Sequence, residues 1–323
     1  MLVIALVFAM VVVGGVTRLT GSGLSMVKWE PIIGAVPPLD EADWQAAFDA
    51  YKQFPQYREV NRSMDLDGFK RIFVWEYLHR LLGRSMGVAF ALPFGWFLLR
   101  GALSRPLALR LSGALVLGGL QGLLGWLMVK SGLVDEPRVS HYRLAAHLGL
   151  ALAIMAWLAW LLTGLVKTPG PRSVALGRPL SGIAVIAVLQ LAYGAFVAGL
   201  HAGLGYNTFP MMGDQWVAAA VMGLEPWWRN LFEDHATVQF VHRLLGTLLL
   251  LAVAGLWLRY RARCSGPQRL ALHLLFALVS AQYLLGVYTL VNAVPIVAAV
   301  THQGCAALVV LALVVLGRVS REP

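Results

Sequence analysis

The chain contains eight apolar runs, each close to the length of helix, about 20 residues, that crosses the hydrocarbon core of a bilayer. They lie near residues 2–17, 72–98, 111–129, 144–166, 182–200, 236–258, 270–290 and 297–317. The first run has no basic segment before it and no Ala-x-Ala cleavage site, which favours a retained helix over a removed signal peptide. Hydrophobic residues make up 59% of the chain and charged residues only 13%, unlike a soluble domain. We therefore predict an all-α polytopic membrane protein with eight transmembrane helices.

The lysines and arginines of the short loops predict how these helices are oriented. The basic side carries Arg100, Arg105, Arg110, Lys167, Arg172, Arg178, Arg259, Arg261, Arg263, Arg269, Arg318 and Arg321. The 201–235 connection, on the opposite side, is mainly acidic. We predict that both termini are cytoplasmic in a bacterial inner membrane, with residues 18–71 and 201–235 outside. The net charge of +10 is spread over four separate segments, so it gives no support for nucleic-acid binding.

Several motifs occur twice, which indicates an internal duplication. The second and sixth runs share His-Arg-Leu-Leu-Gly, the third and seventh share a glutamine with glycine four residues later, and the fourth and eighth each contain one histidine. The repeated residues are His79 and His242, Gln121 and Gln282, and His147 and His302. Four spans per half give both halves the same orientation, as in a parallel repeat. We predict two pseudo-symmetric four-helix bundles, 1–166 and 181–323, joined by a cytoplasmic linker at 167–180.

The duplication places two histidines in each half, one on the second helix and one on the fourth. A histidine within the membrane is costly unless it faces protein or a cofactor. Two imidazoles that face each other across a four-helix bundle can hold a haem iron from both sides. We therefore take His79 with His147, and His242 with His302, as candidate axial ligands of two haems near the outer face. A hydrogen-bonded packing role is the alternative for any one of them.

The neighbours of these histidines fit a haem site, although each has a second interpretation. Gly83 and Gly246 follow by four residues, where a side chain would block a porphyrin plane, but small residues also allow close helix packing. Arg80 and Arg243 are placed to meet haem propionates or to reach lipid headgroups. The three glutamines that precede a glycine by four residues are expected to form interhelical hydrogen bonds; they are Gln121, Gln190 and Gln282.

The two halves differ one helical turn before the second-helix histidine, where Glu76 in the first half corresponds to Gln239 in the second. A carboxylate beside a haem can accept a proton or hydrogen-bond a reacting group, whereas an amide of the same shape does not titrate. The difference favours one haem that reacts and one that serves as cofactor. The alternative is an interfacial acid paired with Arg80 at i+4.

The sequence resembles the haem A synthase family along essentially its whole length. The motifs that carry the resemblance are VVVGGVTRLTGSGLSM at 11–26, WEYLHRLLGR at 75–84, GLHAGLGYNTFP at 199–210, VHRLLG at 241–246 and THQG at 301–304. The resemblance implies oxidation of the ring D methyl group of haem O to a formyl group, through a hydroxymethyl intermediate, to give haem A for terminal oxidases.

The resemblance also implies how the two halves divide the work. His79 and His147 would flank the substrate haem O with Glu76 near the chemistry, and His242 and His302 would ligate a bound haem B. Some family members carry a cysteine pair in the first outer loop, but residues 18–71 contain none here. The chain therefore resembles the cysteine-free branch, in which the electron donor reaches the site by another route. Haem O synthase, membrane lipid and a second copy of the chain are further expected partners.

Two other functions would explain part of the same sequence pattern. A dihaem b-type electron relay linked to quinol also predicts four axial histidines, but it has no need of Glu76 and retains both haems. A transporter built from parallel repeats would place polar or broken helices at mid-membrane.

The segment 40–54 has an amphipathic helical pattern, and we expect it to lie on the membrane surface over the substrate pocket.

Overall fold

The computed structural model describes residues 1–27, 34, 36–132, 139–165 and 174–320. Within these residues the fold is helical, with one isolated β-bridge between Met212 and Gln215. The α-helices are α1 (Leu2–Leu19), α2 (Glu41–Tyr51), α3 (Leu66–Leu99), α4 (Arg105–Gly132), α5 (His141–Leu165), α6 (Gly177–Gly199), α7 (Asn230–Glu233), α8 (His235–Tyr260), α9 (Gly266–Val291) and α10 (Ile296–Val319).

The eight predicted spans are confirmed as helices that are long and apolar enough to cross a membrane: α1, α3, α4, α5, α6, α8, α9 and α10. Helix α3 is the longest, with 34 residues. At about 1.5 Å per residue it reaches roughly 50 Å, well beyond a hydrocarbon core of about 30 Å. The helix is therefore longer than a hydrocarbon core is thick.

Aspartate caps fix where the outer helices begin. Asp40, Asp65 and Asp234 are extended residues whose carboxylates accept a hydrogen bond from the backbone N–H three residues later, at the start of α2, α3 and α8. Such a cap satisfies one of the four backbone donors that a helix leaves unpaired at its N-terminus. The caps of α3 and α8 matter most for the candidate site, because the starting residue of each helix sets the position of His79 or His242.

The chain divides into two compact units, residues 1–154 and 155–323. The division falls within α5, and residues 167–173 of the predicted linker lie outside the described residues, so the predicted domain boundaries stay predictions. Three of the basic residues used for orientation also lie outside the described residues: Lys167, Arg172 and Arg321.

In the first unit, α1 packs on α3, and α2 packs on the first turns of α3. The helix predicted from the 40–54 pattern is confirmed as α2, and its apolar side packs on protein. Phe48 and Tyr51 are buried against Phe69, Ile72 and Phe73 of α3. The sequence pattern shows that an apolar face exists and does not show which partner covers it, and the placement on the membrane surface over the substrate pocket stays a prediction.

In the second unit, α8 packs against α6 and α9, and α10 packs against α9. Buried aliphatic side chains of all four helices form one core, which includes Leu180, Val253, Leu275 and Leu316. Gln268, near the start of α9, links the residues that precede α6 and follow α10: it donates to the Val174 carbonyl at 2.7 Å and the Ser320 hydroxyl at 2.9 Å, and it accepts from the Val174 amide at 3.0 Å. This unit therefore has a continuous apolar core with the hydrogen bonds of Gln268 at one end.

Candidate functional site

The four candidate histidines all lie in the first half of a spanning helix. His147, His242 and His302 are the seventh, eighth and seventh residues of α5, α8 and α10, and His79 is the fourteenth of the 34 residues of α3. Within the first unit, His79 and His147 are close enough for their charges to interact, and the same holds for His242 and His302 in the second. The structure therefore brings together the two pairs predicted from the repeat. All four side chains are partly exposed, unlike core histidines.

Each histidine lies against a glycine of the preceding spanning helix. A Cβ atom added to Gly125 would come 3.1 Å from Cε1 of His147, one added to Gly194 would come 3.1 Å from Cε1 of His242, and one added to Gly286 would come 2.8 Å from Cε1 of His302. A contact of 2.8 Å forces a shift, whereas contacts of 3.1 Å require the ring to move by a few tenths of an ångström. The observed ring positions therefore depend most strongly on Gly286. Sequence reasoning noted the motif that contains them but did not connect it with the histidines.

The three glutamines of that motif also reach the histidines. The side-chain nitrogen lies 3.3 Å from Nε2 of His147 for Gln121, 3.4 Å from Nε2 of His242 for Gln190, and 3.4 Å from Nε2 of His302 for Gln282. The predicted interhelical hydrogen bonds are therefore present, and their target is the ring of each candidate ligand.

These contacts leave polar atoms buried without a hydrogen-bond partner in the described part of the chain. They are Nδ1 of His147, His242 and His302, the side-chain oxygens of Gln121, Gln190 and Gln282, and Nε of Arg243. Folded proteins satisfy the large majority of buried polar atoms, so a cluster of this kind calls for a further polar group. A haem has an iron that an imidazole nitrogen can ligate and propionates that the Arg243 Nε–H can bond, so it would satisfy the histidine and arginine atoms of this set, whereas the glutamine oxygens need a donor. The residues present fit that group.

The glycines that follow the second-helix histidines take the packing role. A Cβ on Gly83 would lie 3.2 Å from Cε of Met10, and one on Gly246 would lie 3.0 Å from the side-chain nitrogen of Gln190. Both positions therefore face a side chain of the preceding helix. Gly149, two residues after His147, has no atom within 4 Å of an added Cβ and borders open space.

Glu76 is buried and fully engaged by the outer segment that follows α1. One carboxylate oxygen accepts hydrogen bonds from the Ser25 hydroxyl and the Met26 amide, each at 2.7 Å. The other forms an ion pair with Arg80, whose guanidinium also donates to the Met26 carbonyl at 2.8 Å. The predicted i+4 pairing exists, but Glu76 is 2% exposed and does not face the surface. Glu76 and Arg80 together fasten residues 25–26 to α3.

Gln239 and Arg243 fasten the corresponding segment of the second unit. The Gln239 amide donates to the carbonyls of Ala202 at 2.7 Å and Gly205 at 2.6 Å. Arg243 donates to the Gln239 side-chain oxygen at 2.9 Å and to four backbone carbonyls, including that of Tyr206 at 2.6 Å. The first segment thus presents two donors to a carboxylate, whereas the second presents two acceptors to an amide. The Glu/Gln difference therefore has a packing reason in addition to any chemical one.

Comparison with known proteins gives a consistent result. The profile of the cytochrome oxidase assembly protein family COX15-CtaA matches residues 1–314. A protein of Nitrosospira multiformis named heme A synthase is 51% identical, over 94% of this chain and 87% of its own length. Proteins with the same name from Nitrosomonas eutropha and Parvibaculum lavamentivorans are 47% and 46% identical, over 94% and 95% of this chain and 87% and 89% of their own lengths. No solved structure matches the chain.

Proposed function

The chain belongs to the cytochrome oxidase assembly family COX15-CtaA, and from that premise we propose that it is a haem A synthase of the membrane. It is an oxidoreductase that converts haem O into haem A, by oxidising the ring D methyl group to a formyl group through a hydroxymethyl stage. The observation that supports this proposal is the pair of neighbouring, partly exposed histidines in each unit, beside buried polar atoms for which the described residues offer no hydrogen-bond partner.

The two units receive different haems in this proposal. His79 and His147 hold the substrate haem O, and His242 and His302 hold a resident haem B. Arg243 offers its buried Nε–H to a propionate, and Arg80 is the corresponding residue of the first unit. When bound, haem supplies the redox chemistry that an unactivated methyl group requires. The protein supplies orientation, because the helices position the two histidines of each unit and the glycines beside the rings limit where the rings can lie.

Glu76 is the residue that distinguishes the substrate unit. Its carboxylate accepts from a guanidinium and two neutral donors, one helical turn from His79. A buried carboxylate in this position stabilises positive charge that develops nearby and accepts a proton when one of its donors is withdrawn. We assign Glu76 that role, in addition to its contacts with residues 25–26.

The protein acts as an integral membrane protein. The helices α1, α3, α4, α5, α6, α8, α9 and α10 supply the spans. We propose that both termini are cytoplasmic, that both haem sites lie toward the outer face, and that the two units are pseudo-symmetric four-helix bundles. Haem O synthase as a supplier of substrate, an electron-transfer partner and self-association belong to the same proposal.

The deciding experiment is mass-resolved chromatography of haems extracted with acid from membranes that make haem O. Membranes with the intact protein are expected to contain haem A or its hydroxymethyl precursor, and those with His147→Ala are expected to contain neither. His273→Ala serves as the matched control, because His273 is exposed and bonds only to Trp257 among the contacts described. Haem B and haem O alone, from a folded protein that carries reducible haem, would replace this proposal with the dihaem electron relay.

A further inference from the structure

Helices α6 and α8 of the second unit leave an open cleft between them, at the ends that lie farthest from His242. The cleft has a volume of about 360 Å³ and lies beside the start of α6 and the end of α8. Its floor is apolar and includes the buried side chains of Ile183 and Leu256, which belong to the core of this unit. Its two polar side chains are those of Arg259 and Tyr260, at the end of α8. The cleft therefore has an apolar interior and a polar end.

Two glycines keep this cleft open. Gly182 of α6 and Gly255 of α8 line it, and a Cβ atom added to either would have no atom within 4 Å. Glycines nearer His242 on the same helices differ, because an added Cβ on Gly194 or Gly246 would come 3.1 or 3.0 Å from a side chain of the other helix. The two helices are thus in close contact near His242, and they leave a space beside Gly182 and Gly255 that protein atoms do not fill.

The apolar surface of the cleft continues along both helices. Exposed aliphatic side chains extend it, namely Val185, Leu189, Leu248 and Leu251. The first two lie three and seven residues after Gly182, and the other two lie seven and four residues before Gly255, spacings that share one helix face. Seven helical residues span about 10 Å, so the apolar track reaches well beyond the cleft. Such a track suits a ligand with a long apolar chain and does not suit a compact polar one.

The charge at this end of the unit favours an anionic ligand. Arg259 is exposed, and the described residues supply it with no hydrogen bond or ion pair. Arg178 is also exposed and directly precedes Pro179, another residue that lines the cleft. The sequence has no aspartate or glutamate at 137–213 or 235–321, so α6, α8 and their flanks contain no carboxylate for these arginines. A guanidinium binds phosphate through two parallel hydrogen bonds.

We propose that the cleft binds an anionic phospholipid, with its phosphate on Arg259 and Tyr260 and an acyl chain between Gly182 and Gly255. The orientation proposed above puts this end of the helices in the cytoplasmic leaflet, which carries anionic lipids, and basic pockets between spanning helices bind their headgroups. A free phosphate ion would leave the apolar track uncovered. A zwitterionic phospholipid would bring its own cation toward the guanidinium. An anionic phospholipid complements both the track and the charge.

The test measures which ligand the purified protein binds. Protein in detergent, washed free of native lipid, is titrated with phosphatidylglycerol, phosphatidylcholine or inorganic phosphate, and native mass spectrometry counts the bound molecules. The buffer contains about 0.15 M ammonium acetate, which screens distant charges. We expect one phosphatidylglycerol per chain to bind about tenfold more tightly than phosphatidylcholine, because hydrogen bonds to charged groups are the stronger ones. Inorganic phosphate is expected not to bind at the same concentrations.

Two variants separate the headgroup contact from the acyl-chain contact. Arg259→Gln should weaken phosphatidylglycerol binding about tenfold and leave phosphatidylcholine binding unchanged. Gly255→Leu fills the cleft and should weaken the binding of both lipids. The matched controls are Arg263→Gln, which removes an exposed charge that does not line the cleft, and Gly118→Leu, which adds the same side chain at an open, exposed glycine of α4. Both controls should bind phosphatidylglycerol as the intact protein does.

Equal affinity for the two lipids, or an equal loss in Arg259→Gln and Arg263→Gln, would overturn the proposal. Undiminished lipid binding in Gly255→Leu would do the same. If circular dichroism shows that Gly255→Leu loses helix, Gly255→Ala and Gly182→Ala fill the cleft with one methyl group each and should still weaken binding. Displacement of phosphatidylglycerol by decylubiquinone would instead assign the cleft to a quinone, and a dimer that Gly255→Leu abolishes would assign it to a second copy of the chain.

Discussion

Replacing Glu76 by glutamine removes one charge from a buried ion pair and changes little in volume. The side chains of Glu76 and Arg80 are only 3% and 10% exposed, so bulk water does not compensate Arg80 when its partner becomes neutral. Removing one partner of a buried ion pair costs about 3 kcal/mol. Glutamine can still accept from Ser25 or Met26 with its oxygen, but its amide nitrogen then faces the Arg80 guanidinium, and two donors oppose each other.

A cost of about 3 kcal/mol corresponds to roughly a hundredfold change in the equilibrium for release of residues 25–26 from α3. The amide of Met26 reports this directly, because its N–H is bonded to Glu76 at 2.7 Å. We expect hydrogen–deuterium exchange of a peptide covering residues 20–27 to accelerate by about that factor in Glu76→Gln. Glu59→Gln, an exposed acid in the same outer segment, should leave the peptide unchanged.

Measuring haem A formation separates the chemical role of Glu76 from its role in holding residues 25–26 against α3. Ser25→Ala removes one bond to the carboxylate, at about 1 kcal/mol, and keeps the charge. If Glu76 acts in the chemistry, Ser25→Ala retains most haem A formation while Glu76→Gln loses it. Exchange of residues 20–27 that rises less than about fivefold in Glu76→Gln would refute the reasoning about the buried pair.

Three further predictions follow from the same contacts. Gly286→Ala and Gly194→Ala should displace His302 and His242 and lower low-spin haem in the reduced spectrum, whereas Gly118→Ala, with no atom near an added Cβ, should not. Arg243→Lys should expose residues 206–211 to hydrogen exchange, because an ammonium group lacks the planar fork that donates to four carbonyls and Gln239; similar protection in both proteins would contradict this. Burial raises the pKa of Tyr51, so unfolding should ionise it and the α2 region should lose stability only as pH rises above about 10. Thermal unfolding of Tyr51→Phe should lack this alkaline dependence and show the loss of the bonds with Gln56 and Asn61, about 1 kcal/mol each.

The eight spans and the two histidine pairs could be predicted from the sequence because both depend on local or repeated patterns. A bilayer-crossing helix satisfies its backbone within one segment, so about 20 apolar residues are enough to identify it. The duplication then aligned His79 with His242 and His147 with His302 without knowledge of any contact. The start of α2 also depends on neighbouring residues alone, because Asp40 caps the helix and apolar residues at helical spacing follow it.

Only the tertiary structure shows which residues contact Glu76, Gln239 and the four histidines. Ser25 and Glu76 are 51 positions apart, and Gln190 and His242 are 52 apart, so no local pattern relates them. The sequence indicated that Glu76 and Gln239 differ, but only the fold shows that one segment presents donors and the other acceptors. It likewise showed glycines after glutamines, whereas the crossing of neighbouring helices decided that Gly14, Gly125, Gly194 and Gly286 each meet a histidine ring. Helix formation is determined along the chain, but which side chains meet is determined by how separate helices pack, and that packing depends on all of them at once.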